Sequence, residues 1–343
     1  MERQEEYDVL RMLCNILIVL HHSSFAGQIL TGGCIGLVLL IRDVSWTLPT
    51  FFLLSGYLLF QNIDMRAWRR KIVRRMKRLV VPFFVWNAIF VLLFLLIKLL
   101  VPTVVSSFEN GGGQSIVWSV TKVLGLSLQP GDPPLWYIRT LMLYVLAAPL
   151  LIFTFKVKAM SYVWIIVLVS FAIVADLLSW DKFIKIVIPP YSLICFSVGA
   201  YIAHCNINLV KFVMRYRLAF FLVGLFGYLF RLLPLPKFCM DLVYCLYAWF
   251  WPVVIFGCMG LFRNNTARLL IRPSFFIFAC HFIFRPFWTK IWSLSSGHGN
   301  LESILIMPIF CEFLATVGMC CVCYFTLKRF LPAVADTLNG DLK

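Results

Sequence analysis

Charged residues are scarce in this chain and acids are scarcer still: 13% of the 343 positions are Asp, Glu, Lys or Arg, and only 15 are acidic. A soluble globular domain ordinarily carries about 25% charged residues, so the composition excludes that class. No internal repeat is evident, which argues against a transporter built from repeated halves. Cys320, Cys321 and Cys323 lie close together without the second cluster that a structural zinc site needs, and no metal site is read. The opening MERQEEYD lacks the basic region of a cleaved signal peptide, so the apolar stretch after it is expected to remain as a span. No soluble domain is expected at either end.

Apolar surface is what the chain has in excess. Hydrophobic residues make up 62% of it, 33 of them Phe, and the mean hydropathy is +0.90. Apolar stretches of about twenty residues recur from end to end, the length a helix needs to cross a hydrocarbon core of ~30 Å. An outer-membrane barrel would instead show short alternating strands. The expected fold is therefore all-α: a polytopic transmembrane helical bundle of about ten spans in one domain. The spans are expected near 9–24, 46–60, 80–102, 135–153, 160–178, 186–204, 217–234, 240–262, 273–291 and 303–326. Residues 25–49, with Gly32, Gly33 and the Arg42–Asp43 pair, read as a partly re-entrant or interfacial segment. Most of the twelve cysteines fall in apolar runs, where they act as small hydrophobes.

The formal charge of +16 follows from topology and calls for no nucleic-acid partner, because its basic residues sit between apolar spans. They concentrate at 61–81, where Arg66, Arg69, Arg70, Lys71, Arg74, Arg75, Lys77 and Arg78 crowd one connection. The positive-inside rule makes that loop cytoplasmic, and alternation then puts both termini on the same side. Lys71, Arg74, Arg75 and Arg78 fall along one helical side. Such a side suits a polyphosphate, since guanidinium forks grip phosphate oxygens; it also suits contact with anionic lipid.

Ionisable residues inside the spans are the functional candidates. In VLRMLCNILIVLHHSS, residues 9–24, Arg11 and His22 are eleven positions apart. Eleven steps return almost to the starting face and separate the groups by roughly 16 Å along the axis. Arg11 could equally snorkel to headgroups, and a histidine can be a satisfied interior group. Neighbours on a helix differ by about 100°, so His21 is expected to point away from the pocket that receives His22. Further along, Ser55 and Gly56 permit close helix approach and Tyr57 reaches toward an interface. Trp136 and Tyr137 suit an aromatic belt, and Arg139 just past the loop is a cavity candidate. His281 and Glu312 lie mid-span, as buried hydrogen-bonded groups or as chemical ones.

Taken together, these residues resemble the acyltransferase 3 family of integral membrane acyltransferases, which includes bacterial O-acetyltransferases of envelope polysaccharides. The likeness begins at Asp8, Leu10 and Arg11, where an arginine, ten residues and a histidine give Arg11 and His22. It continues through LPTFFLLSGYLL at 48–59, through Arg75 and Arg78 with Pro82 following, and through PLWYIRTLMLYVLAAPL. Gly199 and the stretch from Ser274 to His281 match later family features. Val9 departs from the family's usual glycine, and Met12 and Cys14 stand where small residues are usual.

The resemblance implies transfer of an acyl group, with acetyl the expected one, from cytoplasmic acyl-CoA to a hydroxyl of a cell-envelope or secreted glycan on the extracytoplasmic side. It implies a multi-pass protein of the bacterial cytoplasmic (inner) membrane, with acyl-CoA as co-substrate, no permanently bound cofactor, and a carbohydrate or lipid-linked glycan acceptor among membrane lipids. His22 would take the proton of the attacking hydroxyl, Arg11 would serve the donor side or channel, and Arg75 and Arg78 would hold the donor's phosphates. Ser55, Tyr57, Arg139 and His281 would line the acceptor site or cavity. The competing class is a transporter or flippase of a lipid-linked sugar, using the same basic mouth and polar stripe. The topology is testable in a background stripped of native thiols. A membrane-impermeant thiol reagent added outside should label Gly113→Cys and spare Arg70→Cys, and the reverse pattern would invert the orientation.

Overall fold

The computed structural model describes residues 5–23, 45–63, 68–100, 116–127, 129–177, 187–231, 233, 235, 237–262, 269–295 and 306–341. Most of the segment expected to be re-entrant at 25–49 lies outside them. Among the described residues the fold is all-α, without a strand. The helices are α1 (Glu5–Ser23), α2 (Leu48–Phe60), α3 (Trp68–Leu100), α4 (Ile116–Val123), α5 (Trp136–Phe155), α6 (Lys158–Leu177) and α7 (Pro190–His204). They continue as α8 (Leu209–Arg215), α9 (Arg217–Arg231), α10 (Lys237–Tyr247), α11 (Phe250–Gly257), α12 (Ser274–Ser295), α13 (Ile306–Phe330) and α14 (Pro332–Leu338).

Each of the ten expected spans coincides with a helix or helix pair, but five of the described helices are long and apolar enough to cross a membrane, or six if the bent pair α7–α8 counts as one. Charge and length account for the difference. Glu5, Glu6 and Asp8 occupy the first turn of α1. With 13 residues, α2 spans roughly 20 Å at 1.5 Å per residue, short of a ~30 Å core. It lies inside protein instead: every residue of α2 except Leu58 is buried. The face of α3 beyond Val91 and much of α6 remain exposed and apolar, as lipid-facing helices are.

Helix α2 sits against α7 at backbone contact. A Cβ built on Gly56 would lie 2.0 Å from the Phe196 carbonyl oxygen, and one on Gly199 would lie 1.9 Å from the Leu53 carbonyl oxygen. Each glycine thus admits the other helix's backbone, as small residues do in membrane helix pairs. Asn206, at φ 56, ends α7 in the left-handed conformation that Asn tolerates, and the chain turns through 102° into α8. The Tyr57 hydroxyl ties that turn by donating to Ile207 O (3.2 Å) and accepting from Leu209 N (3.2 Å) and Tyr7 Oη (3.2 Å).

The final helix, α14, returns to the basic end of the bundle. Asn339 Oδ1 accepts from Phe276 N (3.0 Å) in the first turn of α12, while its Nδ2 donates to Arg272 O (2.8 Å). The residue therefore caps a helix distant in sequence, satisfying a backbone N–H that has no intrahelical partner. Trp86 Nε1 donates to Leu338 O (2.9 Å), joining α3 to the same segment.

The glycine contact makes a sharp expectation. Gly56→Ala or Gly199→Ala drives a methyl into a carbonyl that cannot move aside, and each should cost at least ~1–3 kcal/mol of stability. Gly318→Ala, with nothing within 4 Å of the added atom, should be neutral. Thermal unfolding in detergent reads the difference, and equal melting for all three would mean that α2 and α7 are not held at backbone contact.

Candidate functional site

Two groups of polar side chains line the interior, and α1 carries members of both. Near its start, Arg11 meets Asp8 in an i,i+3 ion pair (3.6 Å) that is partly exposed and so contributes little to stability. Arg75 of α3 lies within electrostatic reach of Arg11, Arg78 and Tyr137. Two half-buried cations within reach of one another favour an anion nearby. The basic side expected from the sequence divides here: Lys71 and Arg75 are half-buried, whereas Arg74 and Arg78 are exposed, so Arg75 points inward and Arg78 belongs to the rim. Asn15, one turn beyond Arg11, is buried on the same stripe.

The second group lies at the other end of α1. The His22 ring stacks on His281 of α12, with centroids 5.3 Å apart and planes at 25°, while His21 meets His22 edge to face at 5.2 Å. Phe282 packs edge-on against both His22 and His281. His281 Nδ1 lies 2.6 Å from Phe278 O. A carbonyl can only accept, so the neutral ring carries its hydrogen on Nδ1 and keeps the lone pair on Nε2. Beside the rings is a cavity of about 120 Å³ lined by His21, His22, Trp46, Pro134, Trp136 and Phe278, among others. That is room for roughly four waters.

Several expected placements change. His21 does not turn away from the cavity; both histidines reach it, because the cavity spans the end of α1 widely enough to meet side chains 100° apart. Trp136 and Tyr137 do not form a belt: Trp136 lines the cavity, and Tyr137 is buried with its hydroxyl 2.9 Å from Ser55 Oγ. Arg139 is buried, and its Nη1 donates to Gly125 O (2.8 Å) and Ser127 O (2.7 Å), where it clamps the loop after α4. Tyr57 ties the α7–α8 turn. Glu312 is buried on α13. Asp132, which drew no attention in the sequence, is fully buried beside Cys280, and neither carboxyl oxygen has a hydrogen-bond partner among the described residues. Burial pushes its carboxyl well above the usual carboxylate range.

The structure thus joins Arg11, Arg75, Ser55 and Tyr137 in one interior group and His21, His22 and His281 in another. Arg139 and Tyr57 are left to fold maintenance. Asn15 was within reach of sequence reasoning, being four residues from Arg11. Tyr137 and Trp46 were not, because burial decided their roles.

The chain is thus an all-helical, multi-pass membrane protein with arginines near one end of α1 and clustered histidines at the other. The chain matches the acyltransferase domain family over residues 4–328 and belongs to it. It is a membrane acyltransferase. No curated protein and no solved structure matches it.

The placement of Arg139 can be checked directly. Arg139→Ala removes two hydrogen bonds from a charged donor, each worth ~1.5–3 kcal/mol, and should lower the melting temperature while the folded fraction keeps its substrate affinities. A raised acceptor KM with unchanged melting would return Arg139 to the acceptor site.

Proposed function

We propose that this acyltransferase transfers an acyl group, with acetyl the expected one, from acyl-CoA bound at the arginine end to a hydroxyl of a cell-envelope or secreted glycan at the histidine end. The observation that carries this reading is the two-ended character of α1, with Arg11 beside Arg75 at one end and His22 against His281 at the other. Arg75, with Arg78 at the rim, holds the donor's phosphates through charge-assisted hydrogen bonds. Arg11 adds a second inward cation. The acceptor enters the cavity between Trp46 and Trp136, and His22 takes the proton of its hydroxyl as the oxygen attacks the thioester carbon. The acyl–sulfur bond then breaks, and the thiolate leaves as coenzyme A after regaining a proton.

The donor end is cytoplasmic and the acceptor end extracytoplasmic in this scheme, with both termini inside a bacterial inner membrane; the basic connection at 61–81 supports that orientation. Transport of a lipid-linked sugar would use the same basic mouth, but membership of an acyltransferase family favours transfer.

The test is acceptor-dependent release of free coenzyme A from acetyl-CoA by protein reconstituted in lipid, with an envelope polysaccharide as acceptor. His22→Ala should lower the rate ~10²- to 10⁴-fold, the usual effect of losing a general base. His21→Ala should retain much of the activity although its ring reaches the same cavity. The rate of the parent should fall on the acid side, where the imidazole is already protonated. Full activity in His22→Ala with loss in His21→Ala would move the base to the neighbouring ring; full activity in both would remove α1 from the chemistry.

A further inference from the structure

Between the two ends of the site lies a pair of hydroxyls with one hydrogen bond between them. Ser55 Oγ and Tyr137 Oη are 2.9 Å apart, and either can be the donor. Each hydroxyl has one O–H, so whichever way the bond runs, one O–H of the pair stays undirected, and lone pairs on both oxygens stay open. No other hydrogen bond is made by either hydroxyl among the described residues. Both side chains are buried, Ser55 at 7% and Tyr137 at 6% exposure. A buried donor without an acceptor costs ~1–3 kcal/mol, so such a group calls for a partner that is present when the protein works.

The position of the pair narrows what that partner is. Tyr137 lies within electrostatic reach of Arg75, Arg11 and Cys14, which sets its hydroxyl at the level of the first half of α1. Its ring packs against Phe52 at 4.8 Å and against Phe278 at 6.1 Å, and Phe278 is part of the wall of the histidine cavity. Cys14 and His22 are eight residues apart on α1, or roughly 12 Å along the axis. A molecule with its anionic end at the arginines and its reacting end at His22 would have its middle at the level of the pair. The one undirected O–H of the pair complements a carbonyl oxygen on the middle of such a molecule.

We propose that Ser55 and Tyr137 form a binding subsite for an amide of the pantetheine arm of the acyl-CoA donor, holding the arm between the arginine group and the histidine cavity. This rests on the reading that acyl-CoA is the donor. The free O–H of the pair donates to the amide carbonyl oxygen. The two residues are positioning groups: they fix how far the thioester extends toward His22 and take no part in bond making. The phenylalanines around the tyrosine ring exclude water from the contact and strengthen it.

Two ligands separate this role from a merely structural one. Acetyl-CoA carries the arm, whereas adenosine 3′,5′-bisphosphate carries only nucleotide phosphates. Titration of the purified full-length protein in detergent should give, for Tyr137→Phe, an acetyl-CoA dissociation constant raised about 5- to 10-fold, as for a lost neutral hydrogen bond. The dissociation constant for the bisphosphate should be unchanged. Ser55→Ala should behave in the same direction. Phenylalanine keeps the ring contacts, so the fold is retained and the bisphosphate reports that the arginine end is intact. Equal weakening of both ligands would show that the pair supports the arginines structurally, and no change in either would show that it does not meet the arm; both results overturn the proposal while leaving the donor assignment in place. If the parent binds acetyl-CoA no better than the variants and neither ligand saturates it, the donor assignment fails and the subsite fails with it.

Discussion

The backbone-to-backbone contact of α2 with α7 is the constraint on which the rest of the interior depends. Gly56 and Gly199 each receive a carbonyl of the opposite helix, so α2 is drawn into the middle of the protein, where all but one of its residues are buried. A 13-residue helix cannot cross a bilayer alone; surrounded by protein, it need not. From this central place it reaches three neighbours. Ser55 meets Tyr137 of α5, Tyr57 meets Tyr7 of α1 and the start of α8, and Thr50 Oγ1 donates to Ala248 O between α10 and α11. Widening the α2–α7 gap would loosen each of these hydrogen bonds at once.

The chemistry is organised by a different economy, the high cost of charge in apolar surroundings. Arg11 with Arg75 and His22 with His281 lie at two levels of α1, while Asp132, Arg139 and Glu312 are buried elsewhere and most other basic residues stay at the rim or in loops. Arg139 shows the rule from the other side. It is buried near the loop end of α5, and backbone carbonyls satisfy it, so its charge serves the fold. Arg75 is half-buried within electrostatic reach of two other cations, Arg11 and Arg78. The arginine group and the histidine group are kept apart by the length of α1.

Hydropathy, basic clustering and helical spacing were enough to read an all-α membrane protein and the packing role of Gly56. These properties are local or periodic: a run of apolar residues, a count of charges, a repeat of 3.6. Burial and partner choice were decided only in three dimensions. Tyr137 follows a loop and a tryptophan and so reads as an interface residue, yet α2 and α12 close over it. His21 and His22 differ in direction along α1, yet a cavity at the helix end receives both. Arg139 and Tyr57 have the residue types of a site, yet backbone groups from distant segments satisfy them. The sequence by itself determined which residues are costly to place in a membrane; the tertiary structure alone decided which of those costs are met by the fold and which are left for a ligand, because a hydrogen-bond partner a hundred residues away leaves no trace in local spacing.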